Sequence, residues 1–169
     1  MSDSIVVIDY GSQYTRLITR RLRELDVFSV LAAPGESAEA LRRHRPAGIV
    51  LSGGPQSVTD EDAAGLPDGL LDAGLPVLAI CYGMQLVARE LGGEVRPGTV
   101  REYGKADLTH YQGELFEGVA GTLTAWMSHG DTVVRPPDGF VVTASTADTR
   151  VAAMEEPARG IYALQFHPE

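Results

Sequence analysis

Short apolar runs alternate with amphipathic stretches along the first half of the chain. Four runs are apolar, as is typical of strands buried on both faces; they are residues 5–8, 27–31, 48–51 and 76–80. Between the first two, residues 17–25 repeat leucine and isoleucine at helical spacing among arginines, which predicts a surface helix with one apolar face. Helices are also predicted over residues 38–45, 67–73 and 83–91. Gly92 and Gly93 end the last of these.

This alternation of strands and helices predicts right-handed βαβ crossovers. The expected fold is α/β, with a mostly parallel central sheet flanked by helices. From Val95 onward, alternating or β-branched segments lie between glycine, proline and aspartate turns, which predicts antiparallel strands added from the second half. These segments are residues 100–111, 123–126, 132–134, 140–145, 151–155 and 161–166. In such folds the site lies at the carboxyl ends of the parallel strands.

Composition narrows the functional classes. A chain of 169 residues predicts one domain, since it buries about 70% of its unfolded surface around a single core. With 14 Lys and Arg against 23 Asp and Glu, the net charge of −9 argues against general binding to nucleic acid or to an anionic membrane. No segment matches a signal peptide or a membrane span, so we expect a soluble, cytoplasmic protein. The single cysteine, Cys81, excludes an internal disulfide and a cysteine-rich zinc site, and we expect no metal site.

Cys81 stands where a predicted strand turns into a predicted helix. The segment Ala79-Ile80-Cys81-Tyr82-Gly83 has a small residue two positions before the cysteine and a glycine two positions after it. A side chain on such a turn projects from the sheet edge, and the positive end of the following helix favours a thiolate. This is the pattern of a nucleophile elbow with sulfur in place of the serine oxygen. The alternative, a small buried hydrophobic residue, is disfavoured by the position at the strand end.

A cysteine nucleophile needs a base, and the base needs an orienting group. His167 follows a predicted strand, and Glu169 lies two residues further, on the same side of an extended segment. We therefore expect the Glu169 carboxylate to accept a hydrogen bond from one imidazole nitrogen while the other nitrogen faces the sulfur. His44 lies among arginines on a predicted helix face, and His110 has no partner in view.

Acyl transfer at this cysteine also needs N–H groups that bind an oxyanion. Gly53 and Gly54 follow the third predicted strand and can bring N–H groups close, because no Cβ obstructs them. The N–H of Tyr82, next to the nucleophile, is the expected second donor. His129 lies in a polar turn that could also face the site.

The glycine segment, the cysteine elbow, the histidine and the glutamate follow one another in an order that resembles the class I (triad) glutamine amidotransferases. In that family, a catalytic Cys, His and Glu lie on an α/β sheet. The elbow and the segment His167-Pro168-Glu169 are shared across that family. Two further segments are most similar to its GMP-forming members; they are Asp9-Tyr10-Gly11-Ser12-Gln13 and Trp126-Met127-Ser128-His129-Gly130-Asp131. The similarity covers the full length of the chain and implies a flavodoxin-like arrangement.

The resemblance implies a role for each matched residue. Cys81 would attack the side-chain amide of L-glutamine and form a thioester. Gly54 and Tyr82 would hold the oxyanion through their N–H groups. His167, oriented by Glu169, would protonate departing ammonia and then activate water. The residues expected near bound glutamine are Gly53, Gln85, Ser128, His129, Gly130 and Asp131.

The same resemblance implies a partner. Ammonia would pass to an ATP-pyrophosphatase synthetase domain or subunit that converts XMP to GMP. ATP and magnesium would belong to that partner, and no cofactor is expected in this domain. We expect residues 1–169 to be a glutaminase domain that is incomplete at its C-terminal end, with the synthetase domain absent. Ala79 stands where the family usually has glycine, and we expect the elbow to tolerate it.

Two other interpretations remain open from the sequence. A different thiol hydrolase with the same triad would act on γ-glutamyl substrates, whereas a non-catalytic module would dock on a synthetase or regulate it. Release of ammonia from free glutamine, compared with release of amines from γ-glutamyl peptides, separates the two enzymes. The complete set of Cys81, His167 and Glu169 favours an enzyme over a docking module.

Overall fold

The computed structural model describes residues 4–169. In chain order the strands and helices are β1 (Ser4–Ile8), α1 (Thr15–Glu24), β2 (Phe28–Ala32), α2 (Ser37–His44), β3 (Gly48–Leu51), β4 (Val77–Ile80), α3 (Tyr82–Glu90), β5 (Glu94–Asp107), β6 (His110–Tyr111), β7 (Thr124–Arg135), β8 (Val141–Ser145), β9 (Ala153–Glu156) and β10 (Ile161–Leu164). None of the helices in this part of the chain has the length and hydrophobicity that a bilayer span requires.

One sheet joins eight of these strands in the order β2-β1-β3-β4-β10-β9-β8-β6. The first five strands of that order are parallel, and the remaining three pair in antiparallel fashion. The predicted mostly parallel sheet with antiparallel strands added from the second half is therefore confirmed. One strand departs from that description: β10 comes from the second half, yet it runs parallel to β4, with Leu164 opposite Ile80.

The strands β5 and β7 form a second sheet of two strands, which we call the ribbon. The prediction of separate strands over residues 123–126 and 132–134 is wrong, because β7 is continuous through the polar residues between them. Pairing with β5 gives the backbone of this polar stretch its hydrogen-bond partners, so polar side chains do not interrupt the strand. An isolated antiparallel bridge between Trp126 and His167 brings the ribbon against the end of β10.

Apolar side chains from both faces of the sheet pack against helices. Successive side chains of a strand point to opposite faces. Val6 of β1 packs in one cluster with Leu41 of α2 and Leu86 of α3. Val7 packs in another cluster with Ile18 of α1. The parallel strands are thus covered on both sides, which explains their uninterrupted apolar sequences.

The helix predicted over residues 67–73 is wrong. Only a single 3₁₀ turn forms there, at Leu70–Asp72. Gly69 and Gly74 both have φ of +69°, in the left-handed region that a right-handed helix cannot contain, so the segment is limited to one turn. The other predicted helices form, with ends that shift by one or two residues.

Candidate active site

Cys81 occupies a strained turn between β4 and α3. Its φ of 53° and ψ of −106° are rarely adopted by a residue with a side chain. The turn presses α3 against β3: a Cβ on Gly83 would lie 2.7 Å from Cβ of Leu51 and 2.8 Å from its carbonyl oxygen. Only glycine fits at that approach. The backbone thus has the elbow geometry that the sequence predicts.

His167 reaches Cys81 because β10 pairs with β4, so their carboxyl ends lie side by side. The N–H of His167 donates to the carbonyl of Trp126 at 2.9 Å, which fixes the backbone beyond the strand. Nδ1 of the ring donates to Oε1 of Glu169 at 3.0 Å, and the two side chains are only 6% and 4% exposed. Cys81 and His167 therefore line the same small cavity, and the buried imidazole contacts the buried carboxylate of Glu169.

The protonated form of His167 is favoured by its neighbours. Burial by itself lowers the pKa of the imidazole, but hydrogen bonds to the Cys81 sulfur and to the Glu169 carboxylate outweigh it and raise the pKa from 6.5 to about 9. An imidazolium beside a thiol favours the thiolate, which is the nucleophilic form of cysteine. The arrangement therefore supplies a proton donor beside the thiol near neutral pH.

Gly54 and Tyr82, whose N–H groups are the expected oxyanion donors, both border the cavity at Cys81. The N–H of Tyr82 is in the first turn of α3, where it has no intrahelical acceptor. Gly54 lies beside Tyr10 so closely that a Cβ would be 2.7 Å from the Tyr10 carbonyl oxygen. Gly83 ties the two loops together by donating from its N–H to the Ser52 carbonyl at 3.2 Å. Gly54 and Tyr82 both line the cavity at Cys81, as an oxyanion site requires.

A polar cavity of about 320 Å³ opens at the sulfur. Asp131 closes one side: its carbonyl oxygen accepts from Nε2 of Gln85 at 3.0 Å, and its carboxylate accepts from the hydroxyl of Ser57. The lining residues are Gly54, Pro55, Gln56, Ser57, Cys81, Tyr82, Gln85, Tyr103, Ser128, His129, Gly130 and Asp131. Five of the six residues expected near glutamine are thus brought together.

Cys81 also borders a second, smaller cavity of about 120 Å³. This cavity contacts His167 and Tyr14, whose rings pack with centroids 4.9 Å apart. Cys81 therefore borders both a larger cavity lined by Gln85 and a smaller one lined by the imidazole.

Two predicted site residues, Gly53 and His129, differ from the sequence-based expectation. Gly53 does not line the larger cavity and packs under the base, where an added Cβ would be 3.0 Å from Cε1 of His167. His129 borders the cavity, but its ring is engaged by the protein: Nδ1 with the Asp131 carbonyl at 2.9 Å and Nε2 with Glu102 at 3.1 Å. His44, at the end of α2, and the exposed His110, on β6, lie outside both cavities, as their sequence contexts suggest.

Comparison with known proteins agrees with this geometry. A family model described as "Glutamine amidotransferase class-I" matches residues 6–169. The chain belongs to the class-I glutamine amidotransferase family. Proteins named GMP synthase (glutamine-hydrolyzing) are similar to it: one from Thermus thermophilus is 51% identical over 165 residues, and one from Nitratidesulfovibrio vulgaris is 53% identical over 168 residues. Each alignment covers 98% of this chain and 33% of the relative, so the chain spans about a third of their length.

Solved structures of class-I glutamine amidotransferases share the fold. A protein from Thermoplasma acidophilum described as a GMP synthase subunit superposes with a TM-score of 0.86 at 32% identity, covering 99% of this chain and 85% of that one. A glutamine amidotransferase from Thermotoga maritima superposes with a TM-score of 0.80 at 21% identity, covering 99% of this chain and 76% of the other. The α/β arrangement predicted from the sequence is therefore that of the amidotransferase family.

Three residues that contact this amidotransferase site escaped sequence analysis as individual candidates. Gln165 donates from Nε2 to the Cys81 sulfur at 3.8 Å. It lies two residues before His167, so the same alternation that selected Glu169 would have placed it near the site. Tyr14 packs on the imidazole, and Glu102 holds His129. No signal in one sequence marks these two, because both depend on how distant segments meet.

Among the described residues, no group of three or more His, Cys, Asp or Glu is arranged to hold a metal ion.

Proposed function

We propose that this chain is a glutaminase domain that hydrolyses L-glutamine to glutamate and ammonia through a thioester on Cys81. The observation that carries the proposal is that Cys81 and His167 line one small cavity, with the ring of His167 held by the buried Glu169 carboxylate, beside a larger polar cavity. We assign Cys81, His167 and Glu169 as the catalytic residues.

In the first half of the reaction, the thiolate of Cys81 attacks the side-chain amide carbon of glutamine. Negative charge develops on the amide oxygen, and the N–H groups of Gly54 and Tyr82 donate to it. His167, protonated because of the pKa of about 9, gives its proton to the amide nitrogen. The C–N bond breaks, ammonia leaves, and a glutamyl thioester remains.

In the second half, the neutral imidazole of His167 takes a proton from water. The resulting hydroxide attacks the thioester carbon, the C–S bond breaks, and the thiolate of Cys81 is restored. The product forms as a carboxylic acid, loses its proton to solvent and leaves as glutamate. Throughout, Glu169 holds the ring through Nδ1, so Nε2 is the atom that exchanges protons.

The cavity supports glutamine as the substrate. It lies against Cys81 on the side of Gln85 and Ser128–Asp131, and its lining is rich in hydrogen-bonding groups. Such a lining suits the amino and carboxylate groups of a free amino acid better than an apolar side chain. We assign Gln85, Ser128, Gly130 and Asp131 to glutamine binding. His129 contributes indirectly, because its ring holds the backbone carbonyl of Asp131.

We further propose that the ammonia is consumed by an ATP-dependent synthetase domain or subunit that converts XMP to GMP. The relatives named GMP synthase are about three times as long as this chain, which leaves room in them for such a domain. ATP and magnesium would bind to that partner. In this proposal, residues 1–169 are the glutaminase part of the assembly.

The first experiment is alkylation with an electrophilic diazoketone analogue of glutamine, followed by peptide mapping. We expect one adduct, on Cys81, and protection by excess glutamine. An adduct elsewhere, or no adduct when the synthetase is present, overturns the proposal. Preferential release of amines from γ-glutamyl peptides, with no ammonia from glutamine, would assign a different thiol hydrolase.

The second experiment mixes the chain with a synthetase domain, XMP and ATP. We expect GMP formation from glutamine with the wild-type chain, and from added ammonia alone with Cys81→Ala. If Cys81→Ala supports glutamine-dependent GMP formation equally well, the catalytic role of Cys81 is wrong, and a docking module becomes the better description.

A further inference from the structure

We propose that Glu102 is a positioning residue for glutamine recognition, which fixes His129 and thereby one wall of the cavity at Cys81. The inference rests on the proposed function, because it concerns the same cavity. Glu102 is 9% exposed and belongs to none of the segments by which the sequence marks the site. A buried carboxylate is costly unless charged or polar partners surround it, so its retention calls for a physical role.

Glu102 faces His129 across the ribbon. The strand register places these two residues opposite one another, and β5 has an irregularity between Pro97 and Glu102. Unequal numbers of residues in two paired strands re-aim the side chains that follow, and such irregularities recur beside active sites. In this case Oε2 of the Glu102 carboxylate meets Nε2 of His129 at 3.1 Å.

Two threonines from the segment after β8 complete the surroundings of Glu102. The hydroxyl of Thr146 donates to Oε1 at 3.1 Å, and the hydroxyl of Thr149 donates to Oε2. Oγ1 of Thr146 also accepts the N–H of Thr149 at 2.9 Å, which directs its own proton toward the carboxylate. Both oxygens of Glu102 are therefore satisfied, and the ribbon is fastened to a turn of the main sheet.

His129 carries this constraint to the cavity. A carbonyl oxygen can only accept, so Nδ1 of His129 donates to Asp131. The same carbonyl oxygen accepts from Nε2 of Gln85 at 3.0 Å. Glu102 thus orients the His129 ring, which fixes the position of the Asp131 carbonyl. That carbonyl in turn fixes the side-chain amide of Gln85. Glu102 itself touches none of the reacting atoms.

The position of this cavity wall affects the binding of a ligand that fills the cavity. It has little effect on a small reagent that contacts only the sulfur. The test therefore compares two alkylation rates at Cys81 in the 169-residue chain. The diazoketone analogue of glutamine must fit the cavity, whereas iodoacetamide need not. Among variants that fold like the wild-type chain, the ratio of the two rates reports recognition.

Glu102→Leu keeps a similar side-chain volume and removes the hydrogen bonds. We expect the ratio to fall about tenfold in this variant, because small displacements of binding groups slow a reaction by such factors. Glu102→Gln, which keeps the shape and an acceptor, should recover most of the wild-type ratio. Glu94→Leu is the matched control: Glu94 is on the same strand, pairs with Arg96 near the surface, and should leave the ratio unchanged.

An unchanged ratio in Glu102→Leu overturns the inference, whether the two rates stay the same or fall by the same factor. If Glu102→Leu does not fold, Thr149→Val decides, because it removes one donor to Glu102 without altering the ribbon. We expect its ratio to fall about threefold, and no change overturns the inference. Failure of the proposed function looks different, since the wild-type chain would then not be alkylated at Cys81 by the diazoketone even with the synthetase present.

Discussion

Nδ1 of His167 and Oε1 of Glu169 lie 3.0 Å apart in a segment where both side chains are almost fully buried. The contact orients the ring and stabilises its protonated form. We predict that Glu169→Gln lowers the rate of glutamine hydrolysis by about 100-fold or more, because a neutral amide supports the imidazolium poorly and can favour the wrong tautomer. The exposed Glu117 is the matched control, and Glu117→Gln should hydrolyse glutamine at the wild-type rate.

The pKa of His167 gives a second prediction. In a titration followed by histidine NMR signals, His167 should titrate near pH 9 in the wild-type chain. Cys81→Ala removes one of the two groups that raise the pKa, so the midpoint should move down toward 6.5. Glu169→Gln should act in the same direction. A midpoint that neither substitution moves would contradict the assigned contacts.

The same pKa predicts how stability depends on pH. Because the folded-state pKa lies above the ordinary value of 6.5, the protonated ring stabilises the fold fully below about pH 6.5, and this contribution is lost as the pH rises through about 9. We predict that the wild-type chain exceeds His167→Gln in unfolding free energy by roughly 1–3 kcal/mol more at pH 6 than at pH 10. Urea unfolding at the two pH values measures this difference. An equal gap at both would contradict it.

The close approach at Gly83 predicts a large cost for a single methyl group. Gly83→Ala places a Cβ within 2.7 Å of the Leu51 side chain and 2.8 Å of its backbone, so the elbow or β3 has to shift. We expect a loss of roughly 1–3 kcal/mol in unfolding free energy, together with slower alkylation of Cys81. Gly65→Ala is the control, because no atom lies within 4 Å of its added Cβ. Equal stabilities of the two variants would argue against the elbow packing described above.

The backbone of Cys81 predicts a gain of stability at the expense of activity. At φ of 53° and ψ of −106°, any Cβ is strained, and glycine is not. We expect Cys81→Gly to be more stable than Cys81→Ala by about 1 kcal/mol, with neither variant hydrolysing glutamine. Thermal unfolding of the two variants provides the measurement. The reverse order of stability would show that the turn is relaxed.

Local patterns made most of the parallel half predictable. Residues 48–51 are apolar throughout because β3 is buried on both faces, and the predicted and observed strands coincide. The pair Gly92-Gly93 ends α3 as expected, since Gly92 takes a φ of +83°. The helix prediction for residues 67–73 was wrong because their amino acids allow a helix. Only the left-handed conformation of Gly69, which is seen in the three-dimensional structure, prevents one.

Within the site, the residues marked by their position after strands were the predictable ones. Cys81, Gly54 and His167 each follow a strand of the sheet, so a sequence pattern locates them. Glu102 lies in the middle of β5, and its pairing with His129 depends on the strand irregularity that precedes it. A shift of one residue in register turns a side chain to the opposite face, which a sequence pattern alone does not resolve here.

The position of β10 beside β4 has a consequence for the synthesis of the protein. The nucleophile is made as soon as α3 emerges, but its base and its orienting carboxylate follow only after β10, which comes late in the chain. Contacts between such distant segments form slowly and late in folding. A nascent or interrupted chain therefore carries a thiol without a proton donor, and the proposed hydrolysis of glutamine requires the complete sheet.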